Sequence, residues 1–412
     1  MSIIKPFRGY IPLPDMASKI SSPPYDVLSS DEARKMVENN PNSFLRIIKP
    51  EIDFDYNIKL SNDSIHKRGL DNLQSLINNK HLVQDEFLSI YIYEIKMDKH
   101  IQTGIIAAVS VSEYDNNIIK KHEFTRSEKE DDRTRHIEII NANTGPVFLT
   151  FKNDGKFQTI TKIGRKENPY ISFTAEDRTI HTLWKIKSPT IISKLIKYFE
   201  TIQYLYIADG HHRAASASRV QKIKSKKQVL QKGNEAYNYF LSVIFPHDEM
   251  QILSYNRVVK DLNGLTESDF LQSLKSNFII TPISKNPKTP KTKSIFSMLL
   301  NNKWYYLKIK KGFQSNDPIE GLDASILQNY LLNPILGIED PRTSTRIDFI
   351  GGIRGLKELK NRCSLDSKVA FALYPVSIEE LMKVADSGKI MPPKSTWFEP
   401  KLRSGLVVRL LD

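Results

Sequence analysis

YLYIADGHHRAASASRV, residues Tyr204–Val220, holds the clearest structural signal in this chain. Tyr204–Ala208 is apolar and of strand length, Asp209–Gly210 is a turn pair, and a helical run continues toward Val229. A further strand over Tyr239–Phe245 would complete a β-α-β crossover. At the junction, His211, His212 and Arg213 fall in the first helical turn. Unpaired N–H groups and partial positive charge make such a turn attractive to anions, and two imidazoles and a guanidinium concentrate that tendency. Gly210 permits the tight turn. Asp209 is the odd member, because a carboxylate repels phosphate unless a proton or Mg²⁺ lies between them. It suits a metal ligand, or a base that takes a proton from a hydroxyl. The plainer alternative is that Asp209 only caps the helix.

A second stretch, KHEFTRSEKEDDRTRHIEIINANTGPV, covers Lys121–Val147. Read as a helix from about Ser127 to Asn141, it places Arg126, Lys129, Arg133 and His136 at spacings of three and four, on one face. Lys129 and Arg133 repel at i,i+4, a penalty that a bound polyanion reverses. The competing view is a solvated face, with Asp131–Arg135 and Asp132–His136 pairing along the helix. The flanks favour a site: His122–Glu123 precede the helix, and Asn143–Thr144–Gly145 follow it at a turn. His122, Glu123 and His136 do not fit a compact zinc motif, and Mg²⁺ held by carboxylate and phosphate oxygens is the preferred metal.

Elsewhere the chain reads as strands and helices without regular alternation, which predicts an α+β fold of mixed sheets with packed helices. Ser29 and Glu32 form a capping box for a helix to about Asn39, and Ser64–Asn78 is an amphipathic helix. Phe44–Ile48, Phe87–Ile95, Gln102–Val111, Val147–Phe151 and Thr182–Ile186 are strand-like runs. The Lys- and Pro-rich loop at 285–293 is the expected seam between a main α+β domain, 1–284, and a C-terminal α+β region, 285–412. Near the end, MPPKSTWFEPKLRSGL, Met391–Leu406, is a rigid loop of the kind that closes over sites.

The 412 residues carry a formal charge of +13, with 40% hydrophobic and 26% charged residues, so the composition is globular and the partners are anions. One cysteine, Cys363, excludes a disulfide framework and a Cys-based zinc cage, and its setting marks it as inert. The prolines of MSIIKPFRGYIPLPD do not fit a signal peptide, and no apolar run approaches the roughly 20 residues of a membrane span. A cytoplasmic protein is expected. The lysines at 222–227 read as a solvated helix end, and Gly351–Gly352 lacks the full dinucleotide fingerprint.

The blocks PFRG, PPYDV, HEFTR, KEDDRTRH, NTGPVF, YIADGHHR, YNRVVKDLNGL, DPRT, RIDFIGG and MPPKSTWFEPKLRSGL run from Pro6 to Leu406. Together they resemble a bacterial family catalogued as domain of unknown function 1015. DGHHR is similar to the signature turn of the ParB and sulfiredoxin-like fold, whose members include free serine kinases. His211 stands where sulfiredoxins need cysteine, and neither ParB's residue pair nor a DNA-binding helix pair is evident. The resemblance implies a ParB/sulfiredoxin-like core and phosphorylation of free L-serine to O-phospho-L-serine, with pyrophosphate or a nucleoside phosphate as donor.

On that basis Arg126, Lys129, Arg133, His136, Gly210 and Arg213 are expected to hold the donor phosphates. Glu123 or Asp209 takes the hydroxyl proton while the other helps hold Mg²⁺, with Asp209 named as the metal ligand. His211 or His212 stabilises the transferred group, and Tyr25, Asp26, Asn143, Thr144 and Gly145 bound the small substrate. Expected partners are L-serine and a phosphate donor, with room for a homodimer and no membrane. The competing function is a ParB-like nucleotide- or DNA-binding regulator without catalysis, which requires a continuous basic surface.

Overall fold

Alternation between two buried faces along Ile90–Met97 and His100–Ser110 builds the centre of the largest sheet. The computed structural model describes every residue except 56, 57, 59, 60, 229, 231, 284–286 and 412. The chain divides into two compact units, Met1–Met250 with Pro400–Asp412, and Gln251–Glu399.

In the first unit the main strands are β1 (Ile4–Lys5), β2 (Ile90–Met97), β3 (His100–Ser110), β4 (Ile119–Lys120), β5 (Val147–Phe151), β6 (Ile171–Thr174), β7 (Ile180–Ile186), β8 (Leu205–Asp209) and β9 (Tyr239–Pro246). Among the described residues they form one nine-stranded mixed sheet, ordered β4-β8-β5-β9-β3-β2-β7-β6, with β1 on β3. The helices that matter for the site are α1 (Ser30–Val37), α2 (Asn62–Asn78), α3 (Ser127–Ile140), α4 (Pro189–Thr201) and α5 (His211–Lys227). The capping box at Ser29 and Glu32 is present and opens α1.

One face of the sheet offers Ile90, Ile92, Ile105, Ala107, Val109, Val147, Leu149, Phe151, Leu205 and Ile207 to a core completed by Leu195 and Phe199 of α4 and Ala214 and Ala217 of α5. A second core joins α1, α2 and the end of α3 through Ala33, Val37, Leu73, Leu76 and Ile140. Phe44–Ile48 also packs there, but not as the expected strand. Leu45–Ile48 is a helical turn, with Phe44, Leu45, Ile47 and Ile48 all buried. Burying four neighbours on several sides of one turn outweighs the β preference of the two isoleucines.

The expected β-α-β crossover is also corrected. β8 runs antiparallel to β5, and β5 runs parallel to β9. β8 and β9 are therefore antiparallel, with β5 between them. The chain therefore enters β9 from the end of the sheet at which β8 finishes, which a sequence pattern alone does not reveal.

The second unit contains β10 (Tyr255–Val259), β11 (Phe278–Ile283), β12 (Ile295–Leu300), β13 (Lys303–Ile309), β14 (Ile347–Gly351) and β15 (Val369–Ala372). They pair antiparallel throughout, in the order β11-β13-β12-β15-β10-β14. The loop at 285–293, partly outside the described residues, lies between β11 and β12. Both strands pair with β13, so the loop is internal to this unit and not a boundary. The two units meet in sequence at Met250–Gln251 and Glu399–Pro400.

Candidate functional site

β8 ends in an irregularity that aims the site. Its register against β5 shifts between Ile207 and Asp209, so Asp209 comes opposite Phe148 while Ile207 faces Leu149. Such a bulge bends the strand end and redirects a side chain. Gly210 then takes φ 93°, and a Cβ there would lie 3.0 Å from Cζ of Arg213. Glycine thus supplies both the left-handed turn and the space into which Arg213 folds back.

Asp209 does not cap α5 through the first-turn amides. Its Oδ1 accepts the N–H of Gly210 at 2.8 Å, and Oδ2 lies 3.7 Å from Arg213 Nη2 and 3.8 Å from Lys401 Nζ. Burial pushes this carboxyl's pKa up, but Lys401, Arg213, His211 and the Gly210 amide outweigh it and hold the pKa at about 2. The group is therefore an anion at neutral pH. Two cations already serve it, which leaves Asp209 a poor fit for the Mg²⁺ expected there.

Arg213, its side chain 10% exposed, lines a small pocket with Tyr25, Arg133, His136, Asn143, Thr144, Gly145 and Ser404. Apolar Pro24, Ile48, Ile137, Val147, Phe240 and Leu241 form the remaining wall. Arg213 donates through Nη1 to the Pro146 carbonyl, and Nη2 stands 3.9 Å from Asp26. Its Nε is buried with no hydrogen-bond partner. Burial works against its charge, but Asp26 and Asp209 outweigh that and raise its pKa further.

Arg133 is more fully engaged. Nη1 donates to the Ile48 carbonyl at 3.1 Å, Nη2 pairs with Asp132 at 2.6 Å, and the guanidinium lies 4.4 Å from the Tyr25 ring centre. Burial raises the Tyr25 hydroxyl to about 12, so it stays protonated. His136 meets Thr144 Oγ1 at 3.0 Å, while burial and nearby Arg133 hold its pKa well below the ordinary range. Asn143 accepts from the Leu241 amide at 3.1 Å and fixes the turn to β9.

The single-face expectation for α3 divides. Arg133 and His136 reach the cavity, whereas Arg126 and Lys129 are exposed and do not line it. Arg126 is the N-cap with φ −98° and ψ 130°, outside the helix, so helical spacing does not govern it. Lys129 sits in the first turn, short of the cavity. The expected pairs along α3 are replaced by pairs between elements: Arg135 with Asp63 at 2.5 Å, and Asp132 with His66 at 3.3 Å.

The histidines of α5 reach across to the segment before α3. His211 Nε2 accepts the His122 amide at 3.4 Å and His212 Nε2 accepts the Arg126 amide at 3.1 Å. Burial holds both imidazoles below their ordinary pKa. A neutral ring that accepts at Nε2 carries its proton on Nδ1, which in His211 faces Glu123 Oε2 at 4.0 Å. Glu123 is 43% exposed at its side chain.

Two participants had no assigned role in the sequence. Lys401 and Ser404 belong to the proline-rich block recognised as a rigid loop, and its last residues deliver a cation to Asp209 and a hydroxyl to the cavity wall. The block was visible, but nothing in the sequence said which of its side chains points inward.

A family model described as "Protein of unknown function (DUF1015)" matches residues 4–325. The chain belongs to this family. In DUF1015 terms, the match includes every site residue above except Lys401 and Ser404. No curated protein matches this DUF1015 member. Among solved structures it is similar to a free serine kinase variant in complex with AMP, at 13% identity and TM-score 0.36, covering 74% of this chain and 91% of that one. It is also similar to SbnI with C-terminal truncation from Staphylococcus aureus, at 12% identity and TM-score 0.38, covering 73% and 85%. A conserved hypothetical protein from Pyrococcus furiosus aligns at 14% identity and TM-score 0.34, covering 72% and 90%. Likenesses at this level assign neither activity nor ligand to the DUF1015 chain. Among its described residues no helix is long and apolar enough to cross a membrane.

Proposed function

We propose that this protein transfers a phosphoryl group from pyrophosphate or a nucleoside phosphate to the hydroxyl of free L-serine. The observation that carries the reading is Arg213. Its side chain lines the pocket, Nε is buried and unpartnered, and its two nearest carboxylates stand 3.7 and 3.9 Å away, too far for hydrogen bonds. Its unspent donors suit a phosphate oxygen, which guanidinium binds through parallel N–H bonds. In this reading the ionised Asp209 beside it accepts the hydroxyl proton as the new phosphorus–oxygen bond forms and the donor's bridging phosphorus–oxygen bond breaks, releasing the rest of the donor.

Phosphoryl transfer needs charge neutralisation and in-line placement more than covalent help. Arg213 and Lys401 supply positive charge near Asp209 Oδ2. Arg133 is satisfied by Asp132 and Ile48, so its part is to hold Tyr25 and the cavity wall. Tyr25, Asn143, Thr144 and Gly145 bound the small acceptor. His211 and His212 hold the segment before α3 against the first turn of α5. Magnesium in this reading enters on the donor's phosphate oxygens, as part of that substrate. The choice of L-serine rests on the resemblance of the DGHHR turn to free serine kinases.

The regulatory alternative asks for basic residues spread over a free surface. Arg219 instead pairs with Asp131 at 2.6 Å, Lys222 with Asp115 at 3.3 Å, and Lys224 donates to Asn141. Incubating the full chain with L-serine, Mg²⁺ and each of pyrophosphate, ADP, ATP and CTP tests the proposal. Phosphoserine detected by mass spectrometry with one donor is the expected result. Folded protein that makes none with any donor, yet binds DNA with a steep salt dependence, would overturn it in favour of the regulator.

A further inference from the structure

His122, two residues beyond β4, is 2% exposed, and neither of its ring nitrogens has a hydrogen-bond partner. The Ile207 backbone lies close to the ring without meeting hydrogen-bond geometry. Leaving both nitrogens of a buried imidazole unsatisfied is costly, and such groups in native proteins call for an explanation. The ring stands edge-on to His211, with centres 4.5 Å apart and planes at 89°. One ligand atom each from His122, Glu123 and His211 lies within 4.8 Å of the others.

We propose that His122, Glu123 and His211 form a binding site for a divalent transition-metal ion, zinc or a metal of similar preference. Two imidazole nitrogens and one carboxylate oxygen are a borderline-soft donor set, which selects zinc, cobalt, iron or manganese over magnesium. Ligand bonds of about 2.0–2.2 Å put such donor atoms roughly 3.0–3.5 Å apart. The 4.0 Å between His211 Nδ1 and Glu123 Oε2 therefore closes by a small side-chain movement. Three protein ligands leave at least one position open, as in reactive sites and unlike closed structural ones.

Neighbouring groups fit the same assignment. A metal-bound imidazole characteristically donates its other N–H to a backbone carbonyl, and Ile207 stands where His122 would do so. In His211 the ring proton on Nδ1 occupies the position a metal would take. Binding therefore moves that proton to Nε2 and opens the 3.4 Å contact with the His122 amide. Glu123, 43% exposed, provides the way in from solvent. His136, which the sequence grouped with His122 and Glu123, is instead committed to Thr144.

The test reads metal directly and needs no substrate, so its outcome is separate from that of the phosphoryl-transfer proposal. The full chain is stripped with chelator and titrated with Co²⁺, following the visible d–d bands of a low-coordinate nitrogen–oxygen site. One Co²⁺ per chain, displaced by Zn²⁺, is expected. Glu123→Gln, at a half-exposed position, should weaken binding at least tenfold and change the band shape. His122→Ala should abolish the spectrum while circular dichroism shows the fold retained. If no cobalt spectrum develops, or if both folded variants bind as the parent does, the assignment is wrong.

Discussion

The imidazole of His212 accepts the backbone N–H of Arg126 at 3.1 Å, tying the first turn of α5 to the residue that opens α3. His211 does the same for His122 one turn-segment earlier. The two stretches singled out in the sequence are thus one object, held by main-chain donors and side-chain acceptors. His212→Ala removes the acceptor and leaves the Arg126 amide to solvent. Loss of one such bond should cost about 0.5–1.5 kcal/mol. Hydrogen exchange at residues 122–127 should speed up, with β2 and β3 unchanged. Unaltered exchange in that segment would show that the bond does not hold it.

Asp209→Asn separates anion binding from chemistry. The substitution keeps the acceptor for the Gly210 amide but removes the charge that Arg213 and Lys401 face. Pyrophosphate, measured by calorimetry, should bind more tightly, because two cations lose their internal counter-charge. Turnover should fall by about 10²–10⁴-fold if Asp209 accepts the hydroxyl proton. Weaker pyrophosphate binding would place the phosphate away from Asp209.

Lys401→Ala should act through the same carboxylate. Lys401 leads the interactions that hold Asp209 at about 2. Without it the carboxyl's pKa should move toward its ordinary value, and anion affinity should drop several-fold. The pH profile of turnover is the informative measurement, since its acid limb should shift upward. A change in affinity alone, with the limb unmoved, would make Lys401 a phosphate contact only.

Acid stability should contain two opposed contributions. His181 is buried between Tyr93 Oη at 2.8 Å and Thr179 Oγ1 at 2.7 Å, and burial, with help from Arg403, lowers its pKa to about 3. The unfolded chain therefore binds this proton first, and stability is lost as pH falls from about 6.5 toward 3. Asp323, in the second unit, goes the other way. Burial raises its carboxyl to about 7 against backbone donation from Ser294 and Tyr374. Its folded form prefers the proton, so stability is lost as pH rises from about 4 to 7, by a few kcal/mol. Urea denaturation at pH 5 and pH 7 should show Asp323→Asn losing more on acidification than the parent. A parallel pH dependence in the two proteins would exclude a role for Asp323.

The elements with strong local chemistry were readable from the residues. Ser29 and Glu32 announced α1, and the apolar run ending at Asp209 announced β8. What was not readable depended on partners far away in sequence. Phe44–Ile48 became helical because its surroundings bury several of its faces at once. The direction of β9 relative to β8 depended on β5, which no local pattern couples to either. In the site, Tyr25, Arg133, His136, Asn143, Thr144, Gly145 and Arg213 line one pocket. Arg126 failed because one residue separates a helix from its cap, and side-chain direction changes with that step. Lys401 lay in a noticed loop, but its carboxylate is nearly two hundred residues away, beyond the reach of spacing arguments.

Residues Pro400–Asp412 belong with Met1–Met250, separated from them by the whole of Gln251–Glu399. Val408 bridges Tyr10, Ser404 bridges Ser22, and Arg409 pairs opposite Asn143. During synthesis, the nine-stranded sheet can therefore be complete on the ribosome while its pocket still lacks Ser404 and Asp209 still lacks Lys401. The second unit must be translated in full before those residues emerge. A nascent chain stalled within it would display Asp209 and Arg213 without the lysine that balances them, so competence arrives late and in a single step.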